Sequence, residues 1–134
     1  MDEKDKRILS LLKQNSRMSN TEISRAVDLT EGAVRSRIKK LQSSGVITRF
    51  TVETAGHAAN YAVVMAKAKG ETKKMMGDIS RLGIHHDAYE ISGEYDGCII
   101  LSADSMESLD EKIDKIRKLG SVADTRTFIS FRRW

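Results

Sequence analysis

The sequence predicts an α+β chain in two parts, a helical N-terminal third and a C-terminal portion that alternates strands with helices. Three observations carry this. Before residue 45, apolar residues recur three times at helical spacing. From residue 61 onward, strand-like apolar runs alternate with two amphipathic helical stretches. The cationic excess ends where the pattern changes: residues 1–50 carry 11 Lys and Arg against 6 Asp and Glu, and residues 51–134 carry 12 against 13, so only the first part is basic.

The first helix is expected over Glu3 to Gln14, where Ile8, Leu11 and Leu12 share one face. Ser19 and Glu22 then form a capping box, each able to satisfy the other's backbone N–H. The second helix follows, with Ile23, Ala26 and Val27 inward, and ends near Asp28. Thr30 caps a third helix over Glu31 to Ser43, whose apolar stripe is Val34, Ile38 and Leu41. Gly45 stops it, and Val46 to Val52 alternates as a strand should. Two helices joined by a tight turn, after a supporting helix and before a short strand, describe a winged helix-turn-helix over residues 1–52.

Residues 53–60 are small and polar and read as a linker. A strand over Tyr61 to Lys69 precedes a helix over Glu71 to Leu82. Strands are expected over His86 to Ser92 and Gly97 to Ala103, separated by the turn signal Ser92 to Gly97. The helix over Ser105 to Leu119 keeps Met106, Leu109, Ile113 and Ile116 in register. The last strand, Val122 to Phe131, puts Thr125, Thr127, Ile129 and Phe131 on one face. The order βαββαβ is the ferredoxin-like arrangement, assigned to residues 61–134, with both helices on one side of an antiparallel sheet. Tyr61, Val63, Val64, Phe128 and Phe131 are too apolar to leave the other side bare. A partner subunit is therefore expected there, making a homodimer.

The third helix carries the chemistry. Its face opposite the apolar stripe shows Gly32, Ser36, Lys39 and Lys40, flanked by Arg35 and Arg37. A helix fits the major groove of double-stranded DNA, where Arg and Ser reach base edges. Lys39, Lys40, Arg25 and Arg49 are placed to meet phosphates. Thr30, at the start of the helix, completes the expected DNA-facing set.

Other classes are disfavoured. The longest apolar run, Ala62 to Ala66, is far below the roughly 20 residues of a membrane span. The charged start lacks a signal-peptide core, so a cytoplasmic protein with no membrane association is expected. One cysteine, Cys98, allows no internal disulfide and reads as a small buried hydrophobe. His57, His85 and His86 lack metal-ligand spacing, so no metal is expected. No phosphate loop or nucleophile elbow marks an enzyme. RNA recognition needs exposed aromatics on central strands, and Gly97 to Leu101 has none. Two alternatives stay open: an architectural DNA-binding protein without an effector, and a ferredoxin-like small-molecule enzyme with an appended DNA-binding domain.

The whole chain resembles the Lrp/AsnC (leucine-responsive, feast/famine) transcription regulators. The likeness is carried by Asp5 to Leu12, Ser19 to Val27, Leu29-Thr30 through Val34 to Leu41 with Gly45-Val46-Ile47, and Gly93 to Asp96 with Thr125-Arg126-Thr127. It implies a sequence-specific DNA-binding regulator that is no enzyme. It also implies dimers assembling into tetramers or octamers, and an amino-acid effector that changes assembly or DNA affinity. Carried over by position, the effector residues are Gly93, Tyr95, Asp96, Asp124, Thr125 and Thr127. No other cofactor is expected. Glu90, Glu94, Asp96 and Asp124 cluster around this place, which suggests a basic effector such as lysine or arginine. The sequence departs from the family in lacking proline altogether.

Overall fold

The computed structural model describes residues 1–53 and 60–132. They belong to two compact units, Met1–Ala55 and Gly56–Trp134. The expected linker, 53–60, lies almost wholly outside the described residues, as does His57.

The first unit is three helices, α1 (Glu3–Gln14), α2 (Asn20–Val27) and α3 (Glu31–Ser43). Each begins where a side chain can satisfy the free N–H groups of its first turn. Asp2 and Asp5 form a capping box before α1, with the Asp5 N–H donating to Asp2 Oδ1 at 2.8 Å and the Asp2 N–H to Asp5 Oδ2 at 2.9 Å. Ser19 and Glu22 do the same before α2, at 3.1 and 2.7 Å. Thr30 Oγ1 accepts from the Ala33 N–H at 3.2 Å. α2 ends at Asp28, which takes the left-handed conformation (φ 52°), and the Lys4 ammonium donates to the Val27 carbonyl. This ties the end of α2 to α1.

The core of this unit is Ile8, Leu12, Ile23, Val27 and Val34, with Leu11, Met18, Leu29, Ile38 and Ile47 packed on it. Ala26 was expected inside but is exposed, and Ser24 takes the buried position. The Ser24 hydroxyl can sit there because it donates to the Thr21 carbonyl at 2.8 Å. The expected strand over 46–52 is also absent: no ladder forms there among the described residues. A strand needs a second strand to take its N–H and C=O groups. Here the segment is anchored by the Ile47 N–H donating to the Leu41 carbonyl at 3.0 Å and by the part-buried Ile47 side chain.

The second unit runs β1 (Asn60–Ala68), α4 (Thr72–Leu82), β2 (His85–Glu90), β3 (Gly97–Ala103), α5 (Met106–Arg117) and β4 (Val122–Ile129). The sheet order is β2-β3-β1-β4, with all three pairings antiparallel. This is the ferredoxin-like topology. Alternation places Ala62, Val64 and Ala66 of β1 and Ile99, Leu101 and Ala103 of β3 under the helices, where they meet Met75, Ile79, Leu109, Ile113 and Ile116. At Gly97 the helical layer comes so near that a Cβ would lie 2.9 Å from the Met76 sulfur, so only glycine fits without a shift.

Register sets the opposite face. Tyr61, Val63 and Met65 alternate with the buried β1 residues, and Val63 pairs with Phe128 and Ile100. Val64, expected on this face, instead lies fully buried under the helices. Cys98 pairs with Met65 and Tyr89 on the open face and is half-buried, not enclosed. Tyr61 and His86 meet edge to face with centroids 6.2 Å apart. Phe128 and Tyr89 are just over half exposed. β4 ends at Ile129, so Phe131 lies beyond the ladder and is fully exposed, while Met106 at the first turn of α5 is half-exposed instead of buried.

Candidate functional site

α3 owes its orientation to its apolar stripe: Val34 and Leu41 are buried and Ile38 packs on the core. A helix pinned on one side presents the other to solvent. Arg35, Ser36, Lys39 and Lys40 are all exposed along that outer side, and Arg25 and Arg49 are exposed as well. The Ser36, Lys39 and Lys40 side chains have no hydrogen-bond or ion-pair partner among the described residues. Arg35 pairs with Glu31 one turn back at 2.7 Å, on the surface, where such a pair is weak and readily exchanged. Glu31 also accepts from the Thr21 hydroxyl at 3.1 Å, linking α2 to α3.

Two of the residues expected at the DNA have partners within the chain. The Thr30 oxygen accepts in the α3 cap, which leaves its O–H free to donate. Arg37 turns toward α1, where its Nη1 donates to Asp2 Oδ2 and Asp5 Oδ1, both at 2.7 Å. The Asp5 N–H and then Arg37 hold the Asp2 carboxyl at a pKa of about 2. Asp5 is lowered by the Asp2 N–H and Arg37, and Arg37 is raised by both carboxylates. Helical spacing gave Arg37 its direction but not its partners, which lie 35 and 32 residues away.

In the second unit, the residues assigned to an effector gather at one end of the sheet without sharing a face. Gly93, at φ 137°, turns the β2–β3 loop. Tyr95 and Asp96 are half-buried at its end. The Asp96 N–H donates to the Ala66 carbonyl at 2.9 Å, and Asp96 Oδ2 accepts from the Ala68 N–H at 2.8 Å, beside the irregularity between Lys67 and Ala68. One oxygen of Asp96 is thus spent on the strand. Asp124 pairs with Lys67, Thr125 with Ala66 and Thr127 with Val64. Asp124 therefore faces the open side and the two threonines the helical side. The Thr127 hydroxyl is enclosed without a hydrogen-bond partner among the described residues. Glu90 and Glu94 are exposed.

A shallow hollow of about 210 Å³ lies against the start of β4, lined by Arg117, Val122, Ala123, Asp124 and Thr125. Arg117 was not singled out from sequence. Its only signal was its place in the basic last turn of α5. Among the described residues no cluster of His, Cys, Asp and Glu could hold a metal ion, and no helix is long and apolar enough to cross a membrane.

A capped three-helix module with an exposed cationic helix, joined to a ferredoxin-like sheet, defines a helix-turn-helix DNA-binding transcription regulator with a ligand-binding domain. Residues 1–48 match the winged helix-turn-helix DNA-binding family, and residues 62–134 match the Lrp/AsnC ligand binding domain. The chain belongs to the Lrp/AsnC family. It is 33% identical over 136 aligned positions to the HTH-type transcriptional regulator LysM of Saccharolobus solfataricus, covering 100% of this chain and 96% of that one. Its fold is shared with the leucine response regulatory protein of Mycobacterium tuberculosis (TM-score 0.80, 20% identity, 100% and 94% of the two chains). It is also shared with a Neisseria meningitidis transcriptional regulator solved as an L-Met complex (TM-score 0.73, 17% identity, 98% and 90%).

Proposed function

We propose that this regulator reads specific DNA sequences through α3, works in the cytoplasm without catalysis, and pairs with a second copy through the open face of its sheet. The single observation that carries the DNA reading is the exposed row of Arg35, Ser36, Lys39 and Lys40, in which three of the four side chains have no partner among the described residues. Lys39 and Lys40 would neutralise phosphates, while Arg35 and Ser36 reach base edges. Pairing through the sheet is supported by Tyr61, Val63, Phe128 and Tyr89, which form an apolar face that no described element of the same unit covers. Further assembly into tetramers or octamers follows the family pattern.

We infer that the ligand is a small amino acid, and that lysine or arginine are the first candidates. The Neisseria meningitidis relative in fold is complexed with L-Met. Arg117, which pairs with Asp114 at 3.7 Å on the surface, lines the same hollow as Asp124, so that hollow offers one cation for a carboxylate and one anion for an ammonium. The remaining carboxylates at that end, Glu90, Glu94 and the second oxygen of Asp96, favour a basic side chain.

The test is binding to the promoter of its own gene across a salt series, with and without each amino acid. Affinity should fall steeply with salt. Lys39→Ala should weaken all sequences alike and lower the salt slope by about one, and Arg35→Ala should relax base preference. Sequence-indifferent binding that no amino acid alters would instead make the protein an architectural DNA coat.

A further inference from the structure

We propose that Arg37 is a positioning residue, which fixes the roll of the DNA-reading helix by clamping it to the start of α1 and makes no DNA contact of its own. The inference rests on α3 as the reading helix. One guanidinium nitrogen donates to two carboxylates, Asp2 Oδ2 and Asp5 Oδ1, each at 2.7 Å. Those carboxylates are themselves fixed, because each also accepts the other residue's backbone N–H in the α1 capping box. A cation held by two preset anions keeps little of the freedom that a long side chain on a helix surface normally has. The Arg37 side chain is 31% exposed, against 68% for Arg35 on the same helix.

Charge argues the same way. Arg37 with Asp2 and Asp5 sums to −1, so the cluster does not attract a phosphate. Yet it borders the reading row: Ser36 and Lys40 line the same hollow of about 500 Å³ as Asp2, Asp5 and Arg37. The apolar stripe alone lets α3 roll slightly on a core of rounded aliphatic groups. A polar tie at the edge of the stripe removes that roll, and with it any wandering of Ser36 and Lys40.

The experiment measures anisotropy of a labelled mixed-sequence duplex with the full-length protein across a salt series. Asp5→Asn is the informative variant. It keeps an oxygen for the Asp2 N–H, so the cap survives, and a melting curve checks this. It removes a negative charge near DNA, so charge alone would tighten binding. The clamp requires the opposite: affinity weaker by about two- to fivefold, the scale of a lost ion-pair network. Arg37→Gln should weaken binding with the salt slope unchanged, and Asp5→Asn should add no further loss in that background. Tighter or unchanged binding by Asp5→Asn, or a slope lowered by about one in Arg37→Gln, overturns the clamp. Lys39→Ala run alongside separates the two failures. If it leaves affinity untouched, α3 is not the reading helix and the underlying assignment falls first.

Discussion

The two units solve the same problem of small size in opposite ways. The helical unit buries few large side chains, Ile8, Ile23 and Val34 completely, and finishes its surface with polar ties: three capped helices, the Lys4 bond to α2 and the Arg37 pairs. The sheet unit has the larger core, with Val64, Met75, Ile79, Ile99, Leu101, Leu109 and Ile116 fully enclosed, and among its own described residues no layer packs over the apolar far face of its sheet. One module presents charge; the other presents hydrocarbon. A surface of the first kind suits a polyanion, and one of the second kind suits a copy of itself.

The contrast can be broken most severely at Ile99. Replacing this fully buried side chain by alanine should cost about 2–5 kcal/mol by loss of transfer energy and creation of a cavity. Urea unfolding should show the loss in the sheet unit while the helical unit keeps its own transition; a single shifted transition for the whole chain would mean the units do not unfold separately. Phe128→Asp acts on the exposed side of the same sheet. It should leave the unit folded by circular dichroism but shift the mass measured by light scattering to that of a monomer. An unchanged mass would show that the open face is not where copies meet.

The smallest effect concerns acid. Asp78 is held at a pKa of about 2, against an ordinary 3.8, by the Ser121 hydroxyl first and then by Lys74 and Arg81. Ser121 donates to Asp78 Oδ2 at 2.6 Å, joining α4 to the start of β4. A depressed carboxyl stabilises the fold fully above about pH 4 and loses that contribution as pH falls through about 2. Asp78→Asn should therefore lower the melting temperature at neutral pH and flatten its fall between pH 4 and 2. An unaltered acid slope would show that other carboxyls, Asp2 among them, carry it.

Legibility followed the range of the forces involved. α1 and α3 begin and end where the sequence predicts, because caps and helical spacing act within one or two turns. The ferredoxin-like order was legible because each element announced itself locally. α2 is so short that its faces are ambiguous, which is why Ala26 and Ser24 exchanged places. The strand over 46–52 failed for a different reason: alternation shows that a segment can pair but not that a partner exists. Arg37 looked like its neighbours on the helical wheel, and only the packing of α3 against the start of α1 reveals its two carboxylate partners. Arg117 could not be found at all, since the hollow it borders exists only once α5 and β4 are packed together.

The bonds from Asp96 end on β1, at Ala66 and Ala68. That strand is the beam of the sheet: it has neighbours on both sides and carries Tyr61, Val63 and Met65 toward the open side. A load on that loop is thus carried straight into the strand that bears Tyr61, Val63 and Met65. The loop and the open face of the sheet share one mechanical part, the strand between β3 and β4.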